Sequence, residues 1–120
     1  MRVLLDANVL LSYLLASDTN GTIARVVRVC LQSEEIDLLV PQPLLEEVES
    51  KAATKPYFMA RINRPAVERL VANLTTVGEF YSWQDVPGVY TRDRKDDYLV
   101  AFGVLYEADY LVSGDQDLLV

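Results

Sequence analysis

Val3-Leu4-Leu5-Asp6 is an apolar run, typical of a buried strand, that stops at an aspartate. Tyr110-Leu111-Val112-Ser113-Gly114-Asp115 repeats this design near the other end of the chain. If the two runs are neighbouring strands of a parallel sheet, both aspartates emerge at one edge, where open α/β sheets bind their ligands. The two stretches therefore predict an acidic site at the carboxyl edge of a parallel sheet.

Aspartates brought together in this way require a cation. Two carboxylates about 4 Å apart repel each other by roughly 4 kcal/mol at an effective dielectric constant of about 20. A cluster of carboxylates therefore takes up protons near neutral pH unless a cation neutralises it. Hard oxygen ligands favour Mg²⁺ or Mn²⁺ over softer metals. We expect a Mg²⁺ or Mn²⁺ site.

The composition fits one domain and excludes several kinds of catalytic site. The 120 residues are 51% hydrophobic and 24% charged, as in an ordinary globular protein, and we expect residues 1–120 to form a single domain. Histidine is absent and Cys30 is the only cysteine, which excludes disulfides, thiol-histidine zinc sites and Ser-His-Asp catalysis. None of the five glycines belongs to a dinucleotide-binding fingerprint or a phosphate-binding loop.

The charge and the apolar runs indicate where the protein works. Eleven basic and eighteen acidic residues give a net charge of −7, which is unfavourable for broad binding to nucleic acid. A polyanionic substrate must be attracted locally, and Arg92, Arg94 and Lys95 form a short basic segment beside Asp96, with a solvated loop as the alternative. No apolar run reaches the roughly 20 residues of a membrane helix, and the chain enters its first strand without a signal sequence. We expect a cytoplasmic protein without membrane association.

Strand and helix patterns alternate along the chain. Helical spacing covers residues 22–32 and 65–74, a helix begins near Pro43, and another runs from about residue 96 to 107 with Leu99, Val100, Phe102, Gly103, Leu105 and Tyr106 mostly buried. Further strands are predicted at residues 37–40 and within 76–83, and a loop or broken helix at 53–63. This alternation predicts a three-layer α/β/α sandwich with a mainly parallel central sheet.

Four aspartates are candidate metal ligands, each with a simpler alternative. Asp6 ends a strand, where an aspartate commonly caps the next helix, and Asn8 either supports it or caps that helix itself. Asp96 begins an apolar helix, so capping and metal binding are compatible roles. Asp115 and Asp117 follow a glycine and are positioned to bind one ion together, although an ordinary turn would have the same sequence.

A fifth candidate lies on the helix that begins near Pro43. Its apolar stripe consists of Leu44, Leu45 and Val48. Glu47, four residues before Lys51, borders this stripe, whereas Glu46 and Glu49 point further away. A solvated acidic face is the default explanation of such a run. We favour Glu47 as the ligand and keep Glu46 as the alternative.

Taken in order, these stretches resemble the four acidic motifs of PIN-domain ribonucleases, and most closely the toxins of prokaryotic toxin-antitoxin pairs. The motifs are Leu4-Leu5-Asp6-Ala7-Asn8-Val9-Leu10, Leu44-Leu45-Glu46-Glu47-Val48, Arg92-Asp93-Arg94-Lys95-Asp96-Asp97 with Ala101 beyond, and Val112-Ser113-Gly114-Asp115-Gln116-Asp117-Leu118-Leu119. The resemblance spans nearly the whole chain, and its first and last motifs are the most specific. One departure is the absent final C-terminal strand, which we expect either to be lacking or to follow in residues beyond 120.

The resemblance implies a site, a reaction and partners. It makes Asp6, Glu47, Asp96 and Asp115 the catalytic and metal-binding quartet, with Asp117 as a fifth metal ligand. It further implies Mg²⁺ or Mn²⁺ as cofactor, single-stranded RNA as substrate, a homodimer and an antitoxin protein as partner. Apolar residues of the segment after Asp6 either form the dimer or antitoxin surface or belong to the core, namely Leu10, Leu11, Tyr13 and Leu14.

Two rival functions use the same residues. In a phosphatase of the haloacid-dehalogenase type, Asp6 would be a nucleophile, but Asn8 stands where that chemistry needs a second aspartate. In a non-catalytic binding module, the acidic site would be degenerate, yet all five carboxylates are present. We therefore favour the metal-dependent ribonuclease.

Overall fold

In the part of the chain that the structure describes, four parallel strands form the central sheet. The computed structural model describes residues 1–15, 21–85 and 97–113, without the side chains of residues 97 and 98. Within these ranges the sheet has the order β3-β2-β1-β4, and each pairing is parallel. The strands are β1 (Arg2–Leu5), β2 (Asp37–Pro41), β3 (Glu79–Tyr81) and β4 (Tyr110–Val112).

The first strand is enclosed by the second and the last. Leu4 is paired with Leu39 on one side and with Leu111 on the other. Both Leu4 and Leu39 are fully buried. A parallel strand covered on both faces needs an uninterrupted apolar run, which is what the sequence has at β1. The predicted adjacency of the first and last strands is confirmed.

Helices cover both faces of the sheet. They are α1 (Ala7–Leu15), α2 (Thr22–Gln32), α3 (Gln42–Thr54), α4 (Pro56–Met59), α5 (Arg64–Val77) and α6 (Asp97–Leu105). The connections from β1 to β2 and from β2 to β3 step in one direction across the sheet, and the connection from β3 to β4 steps back. Because parallel crossovers are right-handed, α6 lies on the face opposite to the other helices. The predicted three-layer sandwich is confirmed. None of the helices in the described ranges is long and apolar enough to span a membrane.

Two contacts show how closely the layers meet. On the α6 side, the rings of Tyr81 and Phe102 meet edge to face with 5.1 Å between their centroids. On the other side, α5 ends at Gly78 directly over β2. A Cβ atom at Gly78 would lie only 2.5 Å from Cγ2 of Val40, so this approach requires a glycine.

The helix boundaries follow local chemistry. The helix predicted at residues 22–32 is confirmed, and the break predicted within 53–63 is the junction of α3 and α4. Lys55 adopts an extended conformation there, because the residue before a proline is restricted, and Pro56 then opens α4.

The predicted burial of α6 is wrong for two residues. Leu99 and Phe102 are buried as expected, but Val100 and Leu105 are exposed. A helix on the outside of a sandwich buries only one stripe, and a uniformly apolar sequence does not show which stripe that is. In α1, by contrast, Leu10 and Leu11 belong to the core, while Tyr13 and Leu14 are only partly buried.

Candidate metal centre

The carboxyl ends of β1 and β4 lie side by side. Leu5 is paired with Val112 in the parallel register. The backbone N–H of Asp6 donates a hydrogen bond of 3.0 Å to the carbonyl oxygen of Val112. The residues that follow the two strands, Asp6 and Ser113, are therefore neighbours at the sheet edge where ligands of parallel sheets bind.

Asp6 is a buried carboxylate held by hydrogen bonds on both oxygens. Only 6% of the residue is exposed. The hydroxyl of Ser113 donates a hydrogen bond of 2.8 Å to Oδ2, and the backbone N–H of Asn8 donates one to Oδ1. An ionised carboxylate offers about four lone-pair positions, so each oxygen keeps acceptor capacity for a further ligand. The side chain is thus fixed in orientation while it can still bind a cation.

Asp6 also caps helix α1. Its carbonyl oxygen accepts hydrogen bonds from the N–H groups of Val9, at 3.2 Å, and Leu10, at 3.3 Å. Its side chain accepts from Asn8, the second residue of the helix. This is the arrangement of an N-cap aspartate, so Asp6 rather than Asn8 is the cap. Capping places the carboxylate at the positive end of the helix, which does not compete with metal binding.

Glu47 on α3 is connected to the turn after β1 through Lys51. Its Oε2 atom forms an ion pair of 2.9 Å with Nζ of Lys51, one helical turn further along. The same ammonium donates a hydrogen bond of 3.5 Å to Oδ1 of Asn8 in α1. Lys51 therefore connects the helix that carries Glu47 with the turn that carries Asp6.

Glu46 faces a different part of the molecule. Its Oε2 atom accepts hydrogen bonds from Nε2 of Gln42, at 2.9 Å, and from Nε1 of Trp83, at 2.8 Å. Trp83 belongs to the short 3-10 turn that follows β3, Trp83–Asp85. Glu46 thus contacts the segment that follows β3, whereas Glu47 contacts Lys51, which reaches Asn8 of α1. Glu49 is exposed.

The other predicted ligands cannot be placed. Asp96, Asp115 and Asp117 lie outside the described residues, as does the basic segment 92–95, and of Asp97 only the backbone is described, at the start of α6. Among the described residues, no group of three or more acidic, cysteine or histidine side chains is close enough together to hold a metal ion. The structure thus links Asp6 to Glu47 through Asn8 and Lys51, and the metal-binding role of all members of the set stays a prediction.

Sequence reasoning missed two contributors to this site. Ser113 was part of a recognised motif, and its position one residue beyond the Val112 pairing is the signal that it lies next to Asp6. Lys51 is visible as the i+4 partner of Glu47. Its reach to Asn8 depends on the packing of α3 against α1, which no local pattern shows.

Comparison with known families identifies the class of protein. A family model described as PIN domain matches residues 2–117. The chain belongs to the PIN domain family. PIN domains are generally nucleases and typically use divalent metal ions. A search of curated protein sequences found no significant match. The resemblance seen in the sequence is therefore confirmed at the level of the family.

The described part of this PIN domain fits a hard divalent cation. Its side-chain donors at this edge are the carboxylates of Asp6 and Glu47 and the amide oxygen of Asn8, which are ligand types that Mg²⁺ and Mn²⁺ prefer. The ammonium of Lys51 contacts both Glu47 and Asn8, so these oxygens already interact with a positive charge. The donor types therefore suit a hard cation, and carboxylates from outside the described ranges would be needed to complete the ligand set.

Proposed function

We propose that this PIN domain is a Mg²⁺- or Mn²⁺-dependent endoribonuclease that cleaves single-stranded RNA. The observation that carries the proposal is the buried Asp6 carboxylate at the carboxyl edge of the sheet, oriented by Ser113 and by the Asn8 N–H. A buried carboxylate with hydrogen-bond donors on both oxygens is pre-organised for a cation, and family membership gives that cation a nuclease role.

The proposed metal ligands are Asp6, Glu47, Asp96 and Asp115, with Asp117 as a fifth. When bound, the divalent ion supplies a water molecule of lowered pKa and stabilises negative charge on the leaving oxygen. Asp6 holds its fixed orientation through Ser113 and Asn8. Because the chain has no histidine, protons of the reaction pass to carboxylates or solvent.

We further propose that the protein is the toxin of a cytoplasmic toxin-antitoxin pair, that it forms a homodimer and that it binds an antitoxin protein. The resemblance of the four motifs to that branch supports these roles. Exposed apolar residues on α6 and β4 also provide surface for a protein partner: Val100, Val104, Leu105 and Tyr110. Sedimentation analysis of the purified protein tests the dimer, and rescue of growth arrest by a co-expressed neighbouring gene product tests the antitoxin.

Cleavage assays test the nuclease directly. Labelled single-stranded RNA, duplex RNA and single-stranded DNA are incubated with the protein and Mn²⁺, Mg²⁺ or a chelator. We expect metal-dependent cleavage of single-stranded RNA that is lost in Asp6→Asn and in Asp96→Asn. Undiminished cleavage in both variants would rule the proposal out.

A matched pair of variants on α3 locates the glutamate ligand. Glu47→Gln should lose cleavage, whereas Glu49→Gln, on the exposed side of the same helix, should retain it. Loss of cleavage in Glu46→Gln with full activity in Glu47→Gln would assign the ligand to Glu46 instead.

Two other results would favour the rival functions. A covalent phosphate trapped on Asp6 would indicate the phosphatase chemistry, and a protein that neither cleaves RNA nor binds Mn²⁺ would be a binding module.

A further inference from the structure

Lys51 is an enclosed cation at the acidic site. Its Nζ lies 2.9 Å from Oε2 of Glu47 and 3.5 Å from Oδ1 of Asn8. The side chains of Lys51 and Glu47 are only 25% and 14% exposed. Glu47 is a proposed metal ligand, and Asn8 donates its backbone N–H to Asp6, so the ammonium lies within the proposed site.

A second ion pair with the same sequence spacing is far more exposed than the Lys51–Glu47 pair. Arg64 and Glu68 in α5 are also four residues apart and are 3.2 Å from each other, but their side chains are 90% and 66% exposed. Exposed pairs of this kind contribute little, since both partners are solvated with or without each other. The Lys51–Glu47 pair is much less exposed to solvent, and it links two helices through Asn8.

The position of Lys51 conflicts with a metal ion on Glu47. A Mg²⁺ or Mn²⁺ ion binds a carboxylate oxygen at about 2 Å, which would place a second positive charge close to an ammonium that contacts the same oxygen. Like charges at such a distance repel strongly where solvent is largely excluded. A metal ion on Oε2 of Glu47 would therefore displace the ammonium from its present contact, and one on Oε1 would be weakened by the repulsion.

We propose that Lys51 is a built-in counterion of this site, which competes with the divalent metal for Glu47 and, once displaced, binds the phosphate of the RNA substrate. This inference rests on the proposed nuclease function. The four-carbon stem of lysine lets the ammonium move while its backbone stays in place on α3. Lysine binds phosphate as a point charge. In a chain of net charge −7, a cation already present at the site also favours the approach of a polyanion.

The proposal separates metal affinity from catalysis, and Lys51→Met tests that separation. Methionine keeps most of the aliphatic stem and removes the charge. Titration calorimetry with Mn²⁺ at fixed pH and ionic strength should show a Kd lowered by about tenfold, because the repulsion from the competing cation is gone. Cleavage of single-stranded RNA at saturating Mn²⁺ should nevertheless fall by about tenfold or more, because the phosphate contact is lost.

Two further variants complete the experiment. Lys51→Arg keeps the positive charge. It should therefore retain the Mn²⁺ affinity of the parent and most of its cleavage activity. Lys55→Met removes an exposed lysine one turn further along and should leave both quantities unchanged. Circular dichroism of each variant without metal verifies that it folds, and if Lys51→Met does not fold, Lys51→Gln takes its place.

Several results would overturn the proposal. A parallel loss of Mn²⁺ affinity and cleavage in Lys51→Met would show that Lys51 only positions Glu47. Values equal to those of Lys55→Met would show that Lys51 has no role in the site. A parent protein that neither binds Mn²⁺ nor cleaves RNA would contradict the proposed function itself, and the Lys51 proposal with it.

Discussion

The hydroxyl of Ser113 donates a hydrogen bond of 2.8 Å to Oδ2 of Asp6, joining two buried residues that are 107 positions apart in the chain. The bond connects the carboxyl ends of β1 and β4, which are adjacent only because the chain crosses back over the sheet after β3. It thus links the topology of the fold to the orientation of the proposed metal ligand.

Ser113→Ala should weaken both the fold and the site. The substitution removes a buried hydrogen bond to a carboxylate, which we expect to lower the free energy of unfolding by about 1–3 kcal/mol. Mn²⁺ affinity or cleavage should fall by about tenfold or more, since Asp6 loses one of the contacts that orient it. Urea unfolding and Mn²⁺ titration measure the two effects.

Ser82→Ala is the matched control for this prediction. It also removes a hydrogen bond from a serine to a carboxylate, 3.1 Å from Oδ2 of Asp85, but this bond is exposed to solvent. We expect a change in unfolding free energy within about 0.5 kcal/mol and unaltered Mn²⁺ affinity. Equal effects of the two substitutions would contradict the role given to Ser113.

Substitutions of Asp6 should separate its capping role from its charge. Asparagine is as good an N-cap as aspartate, so Asp6→Asn should unfold within about 1 kcal/mol of the parent in the absence of metal. Asp6→Ala loses the cap and should be less stable by a further 1 kcal/mol or so. Both variants should lose the stabilisation by Mn²⁺, which for the parent reaches about 2.7 kcal/mol at a hundred times Kd. Thermal unfolding with and without Mn²⁺ measures this stabilisation. If Mn²⁺ stabilises Asp6→Asn as much as the parent, the charge of Asp6 is not needed for metal binding.

The architecture and the adjacency of the ends of β1 and β4 could be predicted from sequence because they depend on short, local patterns. An apolar run of strand length ending in aspartate occurs at both Val3–Asp6 and 110–115, and the alternation of strands and helices makes the sheet parallel. The capping role of Asp6 was also one of the two interpretations that its position allowed.

What could not be predicted depends on contacts between distant segments. Ser113 meets Asp6, and Lys51 meets Asn8, only after the sheet and the α1–α3 packing have formed. The exposure of Val100 and Leu105 was missed for a related reason, since an apolar helix gives no polar residues from which to identify its outer face.

Gly78 should be intolerant of any side chain. A Cβ atom there would lie 2.5 Å from Cγ2 of Val40, 2.8 Å from the carbonyl oxygen of Leu74 and 2.9 Å from that of Leu38. Because two of these neighbours are backbone atoms, Gly78→Ala should cost about 1–3 kcal/mol in chemical denaturation.

Gly103→Ala provides the opposite expectation. Gly103 lies within α6, and a Cβ atom there would be at ordinary contact distance, 3.6 Å from Cδ2 of Leu4. An alanine in a helix interior is favoured over glycine by about 1 kcal/mol, so this variant should be as stable as the parent or more stable. A destabilisation equal to that of Gly78→Ala would contradict the packing described for the two glycines.

The thiol of Cys30 should react slowly in the folded protein. Burial raises the pKa of Cys30 above its ordinary value, because the thiolate is poorly solvated there. The neutral thiol is favoured in the folded state, so this contribution to stability is complete below the unfolded pKa and is lost as pH rises through the folded one. Alkylation by iodoacetamide should be much slower in buffer than in guanidinium chloride at each pH between 7 and 9, the range set by the ordinary thiol pKa of about 8.5. Equal rates would show that Cys30 is accessible.

The position of a bound Mn²⁺ ion tests the central claim most directly. Crystals grown with Mn²⁺ and measured near the manganese absorption edge should show an anomalous peak within coordination distance of the carboxylates of Asp6 and Glu47, with Asp96 and Asp115 completing the ligand set and the Lys51 ammonium moved away from Glu47. A well-ordered crystal soaked in millimolar Mn²⁺ with no peak at Asp6, or with its peak elsewhere on the protein, would contradict the account.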